Sequence, residues 1–413
     1  FVRDLILHLP NDDVDFVVEG NGIQFAEKLS EETKGSLTRH KEFKTAVVEL
    51  PSGLKVDVAT SRLEYYPLPV SLPVVELSSL KMDLYRRDFT VNALAVQVNS
   101  GSFGKLIDFF NSFEDIQQQI IQVLHSLSFV EDPTRILRAI RFEQRYQWKI
   151  SKQTQTLIAS AMKLGLLEKL TGGRLNNEIV KILKEETWVR GVRRLYDPKF
   201  QFIRVFHPNL ENSLHTASFW TLLQNVDKVT SLYDLLCAGK KRRVQKGGKD
   251  PFLYEKWGVR FLALISCLDD GDCVTLFDRL AIPSGTQQKY LDIRNQAKTI
   301  ASRITTLPNE PLNSEVYDIF KDNSLESALL ACSNQFMNVR YKSYYNLYWS
   351  HLRHQKLELN GGDLKRELRI KPGPIFSKLL KDILIAKLDG RVHNKKEEID
   401  LAKTLFEDSK QQK

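Results

Sequence analysis

Two aspartates near the start of the chain have a spacing that suits metal binding. Asp13 and Asp15 enclose Val14 in the stretch LPNDDVDFVVEG, directly before an apolar run. Because side chains of a strand alternate between its faces, this pattern places both carboxylates on one face. An acidic turn or a polar strand edge is the more common structure for an isolated D-x-D. The functional alternative is a carboxylate pair that shares Mg²⁺, which prefers carboxylate oxygens, waters and substrate phosphates.

A third carboxylate, Asp57, lies at the centre of the predicted strand in SGLKVDVATSR. We expect apolar neighbours around it, which would make a lone charge costly, and an ion pair with Arg62 would be its structural role. Three aspartates on adjacent strands also provide what two-metal phosphoryl transfer requires, since carboxylates hold the ions that clamp the attacking and leaving oxygens. We interpret the three aspartates as a candidate catalytic group.

A basic segment follows in KMDLYRRDFTVNALA, which leads into an apolar strand. Arg86 and Arg87 carry charges that could neutralise phosphates, while Asp88 and Asn92 could hold a ribose hydroxyl. An ion-paired turn is the structural alternative, and the spacing alone does not exclude it.

The segment VEDPTRILRAIRFEQRY opens a helix, with Asp132 and Pro133 as the predicted N-cap and first-turn pair. Arg135 could close a local ion pair with Asp132. A local pair does not explain the arginines that continue the stripe every three to four positions, opposite the apolar Leu137 and Ile140. These further arginines are Arg138, Arg141 and Arg145. The stripe indicates a surface that binds an anion.

A carboxylate beside a guanidinium also has a specific chemistry toward nucleobases. Cytosine and adenine offer an exocyclic amino donor beside a ring-nitrogen acceptor, whereas uracil and guanine present the reverse. Asp132 and Arg135 could therefore accept from the amino group and donate to the ring nitrogen, which matches C and A and rejects U and G.

Short runs rich in Val, Thr and Phe alternate with Gly, Pro and Asn in the first third of the chain, as is typical of strands. Four such runs are VDFVVEG, FKTAVVEL, GLKVDVAT and NALAVQV. GNGIQFAEKLSEETKG has a helical pattern, which we expect Gly35 to close. From about residue 114 the apolar spacing changes to three and four. The sequence predicts an α+β domain with a mixed sheet, followed by an all-α region.

The chain has 413 residues and a formal net charge of +9, which suits an anionic partner such as a nucleic acid. No apolar run approaches the roughly 20 residues of a membrane helix, so we expect no membrane partner. The four cysteines form no C-x-x-C pair and are interpreted as free thiols in a reducing compartment, the cytoplasm. The basic stretch at 238–251 is more typical of a solvated linker than of a phosphate-binding loop.

The chain resembles the class II tRNA nucleotidyltransferases, the CCA-adding family within the polymerase-β-like superfamily. The motifs that carry the resemblance occur in the family's order: VRD, D-x-D, RRDFTVNALA, LIDFFNSFEDI, EDPTRILRAIRF and GGRLNNEIVKIL. Each motif is weak alone, but six in this order are specific. Nearer the end, GGDL, PGPIF and LDGRV look like the family's tail domain.

The resemblance implies a polymerase-β-like nucleotidyltransferase head, which contains the mixed sheet, followed by an all-α neck, body and tail. The implied ranges are 1–124 for the head, 125–190 for the neck, 191–310 for the body and 311–413 for the tail. In this family the head and neck bind the incoming nucleotide, while the body and tail hold the acceptor stem and elbow of tRNA.

Carried over by motif, the resemblance implies that Asp13 and Asp15 bind Mg²⁺ and that Asp57 assists the 3′-hydroxyl. The implied nucleotide-binding residues are Arg3, Asp4, Arg86, Arg87, Asp88, Asn92, Asp132, Arg135, Arg138 and Arg141. The implied RNA-binding residues are Arg145, Arg174, Lys240, Lys241, Arg242 and Arg243.

The implied activity is template-independent addition of CCA, or only its terminal A, to the 3′ end of tRNA from CTP and ATP with release of pyrophosphate. CC-adding members usually have a shortened loop before RRD, whereas TSRLEYYPLPVSLPVVELSS here has full length. A poly(A) polymerase and a CC-adding enzyme remain alternatives, and an A-adding enzyme would depend on a separate CC-adding partner. A non-catalytic RNA-binding protein is the alternative of another class, although a binding role would not require the metal carboxylates.

Overall fold

The structure is a computed structural model that describes residues 1–40, 44–65, 74–213, 216–237, 254–336, 338–369 and 373–411. The chain divides into two compact units. Unit 1 comprises residues 1–211 and 276–282, and unit 2 comprises residues 212–275 and 283–413. The four-part division into head, neck, body and tail stays a prediction.

Unit 1 begins with the strands and short helices that carry most of the predicted site. Its elements are α1 (Val2–Ile6), β1 (Val14–Val18), α2 (Gly22–Thr33), β2 (Ser36–His40), β3 (Thr45–Glu49), β4 (Lys55–Thr60), β5 (Arg62–Tyr65), β6 (Val74–Leu77), α3 (Leu80–Tyr85), β7 (Leu94–Val96), β8 (Leu106–Asp108), α4 (Ser112–Gln117), β9 (Ile120–Ile121), α5 (Ser128–Glu131), α6 (Thr134–Tyr146), β10 (Lys149–Ile150), α7 (Lys152–Lys163), α8 (Gly172–Lys184) and α9 (Trp188–Leu195). The predicted α+β start and helical remainder are confirmed.

A four-stranded mixed sheet in the order β1-β4-β3-β2 forms the framework of the site. β1 and β4 are parallel, whereas β3 is antiparallel to both β4 and β2. The buried residues of β3 and β4 alternate with outward-facing ones and pack against Ala26 of α2. The sheet therefore has one face covered by α2 and an opposite, open face.

Asp57 is exposed, in contrast to the expectation of apolar surroundings. Its neighbours Val56 and Val58 point to the opposite face and are buried there. The parallel register pairs Asp57 with Asp15 across β4 and β1, which brings the two carboxylates side by side on the open face. The strand assignment was correct, but the alternation of side chains placed this charge outside the core.

Helix α2 is anchored to the strand that carries Asp57. Asn21 caps its first turn by accepting a hydrogen bond from Gln24 N at 3.1 Å, and Gly22 N donates to Thr60 Oγ1 at 3.0 Å. The expected closure by Gly35 is wrong in detail, because Lys34 takes the left-handed conformation at φ 55°. Gly35 instead allows close approach to β3, since a Cβ there would lie 2.8 Å from Glu49 O.

Substitution of Gly22 by alanine is expected to destabilise unit 1. A Cβ at this position would lie 2.8 Å from Thr60 N, which is backbone and has little freedom to move. We expect a loss of about 1–3 kcal/mol in the free energy of unfolding, the typical cost of overpacking. Urea denaturation followed by circular dichroism measures this loss. Gly101→Ala is the matched control, because no atom lies within 4 Å of the added Cβ there. An equal loss of unfolding free energy in both variants would show that the contact between a Cβ at position 22 and Thr60 N is not the cause.

Helix α6 begins at Thr134, with Pro133 as its N-cap residue, so Asp132, the predicted N-cap, lies one residue before the observed cap position. Asp132 Oδ1 nevertheless accepts a hydrogen bond from Thr134 N at 2.9 Å. The apolar face of α6 is fully buried, including the predicted Leu137 and Ile140. Burial of this face holds the arginine stripe in place, and α8 and α9 pack against the same helix.

Unit 2 is helical throughout its described part. The remaining helices are α10 (Ala217–Cys237), α11 (Lys256–Leu264), α12 (Asp270–Arg279), α13 (Ser284–Thr306), α14 (Asn313–Phe320), α15 (Leu325–Asn334), α16 (Val339–Ser350), α17 (Gly361–Leu368), α18 (Pro374–Leu388) and α19 (Lys395–Gln411). Helix α12 runs from unit 2 into the segment at 276–282. Across the described ranges, we find no helix with the length and apolar character needed to span a bilayer.

Candidate active site

A cavity of about 820 Å³ in unit 1 contains most of the residues predicted from the motifs. The predicted residues that line it are Arg3, Asp4, Asp13, Asp15, Asp57, Arg86, Arg87, Asp88, Asn92, Asp132, Arg135, Arg138, Arg141 and Arg145. Carboxylates from the sheet and arginines from α6 thus face the same space. Such a distribution suits a ligand that carries both bound cations and negative charge.

The three predicted carboxylates form one compact group. Oxygens of Asp13, Asp15 and Asp57 all lie within 4.8 Å of one another, and the three residues are exposed. Partial burial of the carboxyl group and the neighbouring Asp13 charge raise the pKa of Asp15 above its ordinary value. Carboxylates this close repel one another, and a divalent cation would neutralise their charge. The group therefore fits a divalent cation that prefers oxygen ligands.

The VRD motif connects the first helix to α6. Asp4 is buried and accepts hydrogen bonds from Arg3 Nε at 2.7 Å and from the Tyr146 hydroxyl at 3.3 Å. The Arg3 guanidinium lies 5.0 Å from the centre of the Tyr146 ring and donates to Asn92 Oδ1. Arg3 is therefore held by a carboxylate, an amide and an aromatic ring at the cavity wall.

Asn11 was not predicted, yet it connects this motif to the group of three carboxylates. Its Nδ2 donates to Asp4 Oδ2, while its Oδ1 accepts from Asp13 N at 2.7 Å. The backbone of Asp13 is thus fixed relative to the buried Asp4. The sequence did contain a signal for this contact, because an asparagine side chain often accepts a hydrogen bond from the backbone N–H two residues later.

Asp83 is a second residue that the sequence reasoning missed. It is completely buried, and its Oδ1 accepts from Arg86 Nη2 at 3.0 Å and from Arg62 N at 3.3 Å. The Arg87 guanidinium lies 3.7 Å from its other oxygen. Asp83 therefore orients both arginines of the RRD motif, and the i, i+3 and i+4 spacing to them was visible in the sequence.

Asp88 is a buried carboxylate that pairs with Arg138 of α6. Its Oδ2 accepts from Arg138 Nε at 2.8 Å, and its Oδ1 accepts from Asn92 Nδ2 at 2.8 Å. Burial alone would raise the pKa of Asp88, but Arg138 and the Asn92 amide outweigh burial and hold that pKa below its usual range. The pair ties the RRD motif to α6.

The arginines of α6 have different partners in the structure. Arg145 Nε donates to Glu185 Oε2 at 2.9 Å, and Arg141 lies 3.9 Å from the same carboxylate. Arg135 is 5% exposed and donates to Ser128 Oγ and to the Arg86 carbonyl, each at 2.8 Å. The stripe is thus ordered by contacts within unit 1.

Asp132 is paired with an arginine from another helix. Asp132 and Arg135 do not form the local ion pair that their spacing suggested. Arg135 Nη1 instead lies 3.8 Å from Glu131 Oε2. Asp132 Oδ1 instead accepts from Arg174 Nη2 of α8 at 2.6 Å. The distance in sequence explains why spacing along one helix did not indicate this partner.

Four predicted RNA-binding residues, Lys240, Lys241, Arg242 and Arg243, lie outside the described residues. The basic stretch at 238–251 lies there as well, so its role stays a prediction.

Three segments of the chain match models of known protein families. Residues 1–122 match the family described as poly A polymerase head domain, and residues 148–214 match a probable RNA- and SrmB-binding site of polymerase A. Residues 292–402 match a putative tRNA nucleotidyltransferase domain 2.

A solved structure of a CCA-adding enzyme in an apo form has a TM-score of 0.77 to this chain at 35% identity, covering 97% of this chain and 89% of that one. The chain belongs to the class II tRNA nucleotidyltransferase family. A CCA-adding enzyme of Thermotoga maritima, complexed with tRNA, has a TM-score of 0.72 at 32% identity, covering 98% of this chain and 90% of that one. The predicted family and fold class are therefore confirmed.

An A-adding tRNA nucleotidyltransferase of Geobacter sulfurreducens is 41% identical over 408 residues. The aligned region covers 98% of this chain but 44% of that relative. This member of the tRNA nucleotidyltransferase family thus spans less than half of the length of its A-adding relative.

Proposed function

We propose that this chain transfers AMP from ATP to the 3′ end of a tRNA that ends in CC, without a nucleic-acid template. The observation that carries the proposal is one cavity in which the carboxylates Asp13, Asp15 and Asp57 face Asp132 and Arg135. Relatives named A-adding, such as the Geobacter sulfurreducens protein, favour addition of the terminal A. Complete CCA addition from CTP and ATP is the second candidate, favoured by the similar CCA-adding structures.

Mg²⁺ is the cation that we assign to Asp13 and Asp15, since carboxylates and substrate phosphates are its preferred ligands. Bound Mg²⁺ would promote attack of the tRNA 3′-oxygen on the α-phosphorus and stabilise the charge on the departing pyrophosphate. Asp57, which is in register with Asp15, would accept the proton of the 3′-hydroxyl. The bond between the α-phosphorus and the bridging oxygen then breaks, and pyrophosphate leaves.

The arginines of the cavity bind and orient the triphosphate in this proposal. Arg3, Arg86 and Arg87 line the wall close to the carboxylates and carry fixed positive charge. Arg138, held by Asp88, and Arg141 continue the positive surface along α6. Asp132 and Arg135 select the base through its amino group and ring nitrogen.

The partner in this proposal is tRNA, with which the similar CCA-adding enzyme of Thermotoga maritima is complexed. We propose that this chain holds the acceptor stem and elbow of tRNA outside the nucleotide cavity. An A-specific enzyme would need a separate CC-adding enzyme to prepare its substrate. We propose that this chain processes tRNA ends in the cytoplasm. Poly(A) polymerase and CC addition are less favoured by the relatives, and non-catalytic RNA binding gives no role to three exposed carboxylates, which would repel phosphates.

The test is incorporation of labelled nucleotides by the purified chain with Mg²⁺. The substrates are tRNA transcripts that end at the discriminator base, at C and at CC, each with one labelled nucleotide. We expect one AMP to be incorporated from ATP, and only on the transcript that ends in CC. Incorporation of CMP from CTP, followed by AMP from ATP, would assign CCA synthesis. Repeated incorporation of AMP would assign poly(A) synthesis. If the protein binds tRNA but incorporates no nucleotide, the enzymatic proposal is overturned.

A further inference from the structure

We infer that Asn11 is a positioning residue for the metal site, which keeps Asp13 beside Asp15 by tying the Asp13 backbone to the buried carboxylate of Asp4. The inference rests on the proposed function, because it concerns the group of three carboxylates to which the cation is assigned. In this inference Asn11 acts on the cation through Asp13 and is not itself a ligand.

The strand ladder does not hold the three carboxylates equally. Asp15 of β1 is paired with Asp57 of β4, so the ladder fixes the backbone at both positions. The pairing of the two strands begins at Val14, and Asp13 lies just before this first paired residue. Asp13 therefore depends more than the other two aspartates on contacts outside the ladder.

Repulsion within the group makes a restraint on Asp13 useful. The three side chains are exposed, and their oxygens lie within 4.8 Å of one another. Before a cation binds, an unrestrained aspartate at the end of a strand lowers this repulsion by moving its carboxylate away. The cation would then have to bring the carboxylate back and order it, which weakens cation binding. A restraint that acts before binding avoids this loss.

Asn11 provides such a restraint through both ends of its side-chain amide. Its Oδ1 accepts a hydrogen bond from Asp13 N at 2.7 Å, and its Nδ2 donates to Asp4 Oδ2. The first contact is a local turn that an asparagine can form by itself. The second contact fixes the asparagine relative to α1, so that the turn and Asp13 cannot move away together.

Asp4 is held firmly enough to act as the anchor. It is buried, and its Oδ1 accepts from Arg3 Nε at 2.7 Å and from the Tyr146 hydroxyl at 3.3 Å. The backbone carbonyl of Asp4 accepts from Leu9 N at 2.9 Å. Asp4 therefore holds the segment between α1 and β1 at two points, Leu9 and Asn11.

The same anchor connects the metal site to the nucleotide-binding wall. Arg3, which binds the nucleotide in the proposed function, donates to Asp4 Oδ1, whereas Asn11 donates to Oδ2. One buried carboxylate thus sets the position of a phosphate-binding guanidinium relative to a metal-binding aspartate. Loss of the Asn11 side chain should loosen the metal side of this connection while Arg3 stays paired with Asp4.

The test compares Asn11→Ala with the unaltered full chain in binding of Mn²⁺ without nucleotide, followed by electron paramagnetic resonance. We expect the Kd for Mn²⁺ to rise about tenfold, the lower end of the effect that is typical when a contact supporting a metal ligand is lost. Asn11→Ser should give an intermediate Kd, because a serine hydroxyl can accept from Asp13 N but is too short to contact Asp4 as well. The Kd for tRNA should not change.

Incorporation of AMP on a tRNA that ends in CC separates this role from direct contact with the nucleotide. We expect the Mg²⁺ concentration that gives the half-maximal rate to rise in Asn11→Ala, while the KM for ATP at saturating Mg²⁺ stays the same. A raised KM for ATP with unchanged Mn²⁺ binding would overturn the inference and make Asn11 a nucleotide contact.

Asn99→Ala is the matched control, since Asn99 is exposed between β7 and β8 and is not among the described residues that line the cavity. An equal rise of the Mn²⁺ Kd in Asn99→Ala would overturn the inference. Binding of Mn²⁺ by Asn11→Ser as tightly as by the unaltered protein would also overturn it, because the contact with Asp4 would then be unnecessary.

Circular dichroism shows whether each variant folds, and Asn11→Ser carries the comparison if Asn11→Ala does not fold. Failure of the proposed function is distinguished in the unaltered protein, which would then incorporate no AMP. The comparison of Mn²⁺ binding between the variants does not depend on that activity.

Discussion

Replacement of Asp13 by alanine is expected to abolish nucleotide incorporation while tRNA binding is retained. Asp13 lies in the group whose carboxylate oxygens are within 4.8 Å of one another, and its loss leaves only Asp15 of the two carboxylates to which we assign Mg²⁺. Metal ions contribute several kcal/mol to such transfers, so we expect kcat to fall roughly 10³-fold or more. Incorporation of labelled ATP on a CC-ending tRNA measures the loss.

Binding of Mn²⁺, followed by electron paramagnetic resonance, provides a second measurement that does not depend on activity. We expect weaker Mn²⁺ binding in Asp13→Ala and an unchanged Kd for tRNA. Asp12→Asn is the matched control, because Asp12 is exposed and is outside the carboxylate group. Full activity in Asp13→Ala, or an equal loss in Asp12→Asn, would refute the metal assignment.

Replacement of Arg138 by leucine is expected to cause a large loss of stability in unit 1. Asp88 would lose its guanidinium partner while its side chain is only 9% exposed. Removal of one member of a buried ion pair costs about 3–5 kcal/mol, because the remaining charge stays desolvated. Urea denaturation at pH 7, followed by tryptophan fluorescence, should show this decrease in the free energy of unfolding.

Asp88→Asn combined with Arg138→Leu should recover part of the loss, because no unpaired charge remains. Arg145→Leu is the comparison variant, and its loss should be about 1 kcal/mol or less, because the Arg145 pair with Glu185 is more exposed. A loss in Arg145→Leu as large as that in Arg138→Leu would contradict the special role of the Asp88 pair.

The effect of Arg138→Leu should depend on pH in a defined direction. The folded-state pKa of Asp88 is held below the ordinary value of 3.8, so this carboxylate contributes stability above that pH. The contribution is lost as the pH falls through the lowered pKa. The stability difference between Arg138→Leu and the unaltered protein should therefore be largest near neutral pH and narrow below about pH 4. If the difference in the free energy of unfolding between the two proteins stayed the same from neutral pH to below pH 4, the Asp88–Arg138 pair would not be its source.

The Asp13 and Asp15 pair could be predicted because its geometry is local to one short segment of the chain. The alternation of Asp13, Val14 and Asp15 places both charges on one face whatever the rest of the fold does. The arginine stripe of α6 was predictable for the same reason, since helical periodicity separates it from the buried Leu137 and Ile140. The order of the motifs was sufficient to identify the family.

Contacts between segments far apart in sequence were decided only by the tertiary structure. The parallel register of β1 and β4 made Asp57 an exposed neighbour of Asp15 rather than a buried charge. The packing of α8 on α6 made Arg174, and not Arg135, the partner of Asp132. Side-chain periodicity states which face a residue occupies, but strand register and helix packing determine which other residues it meets.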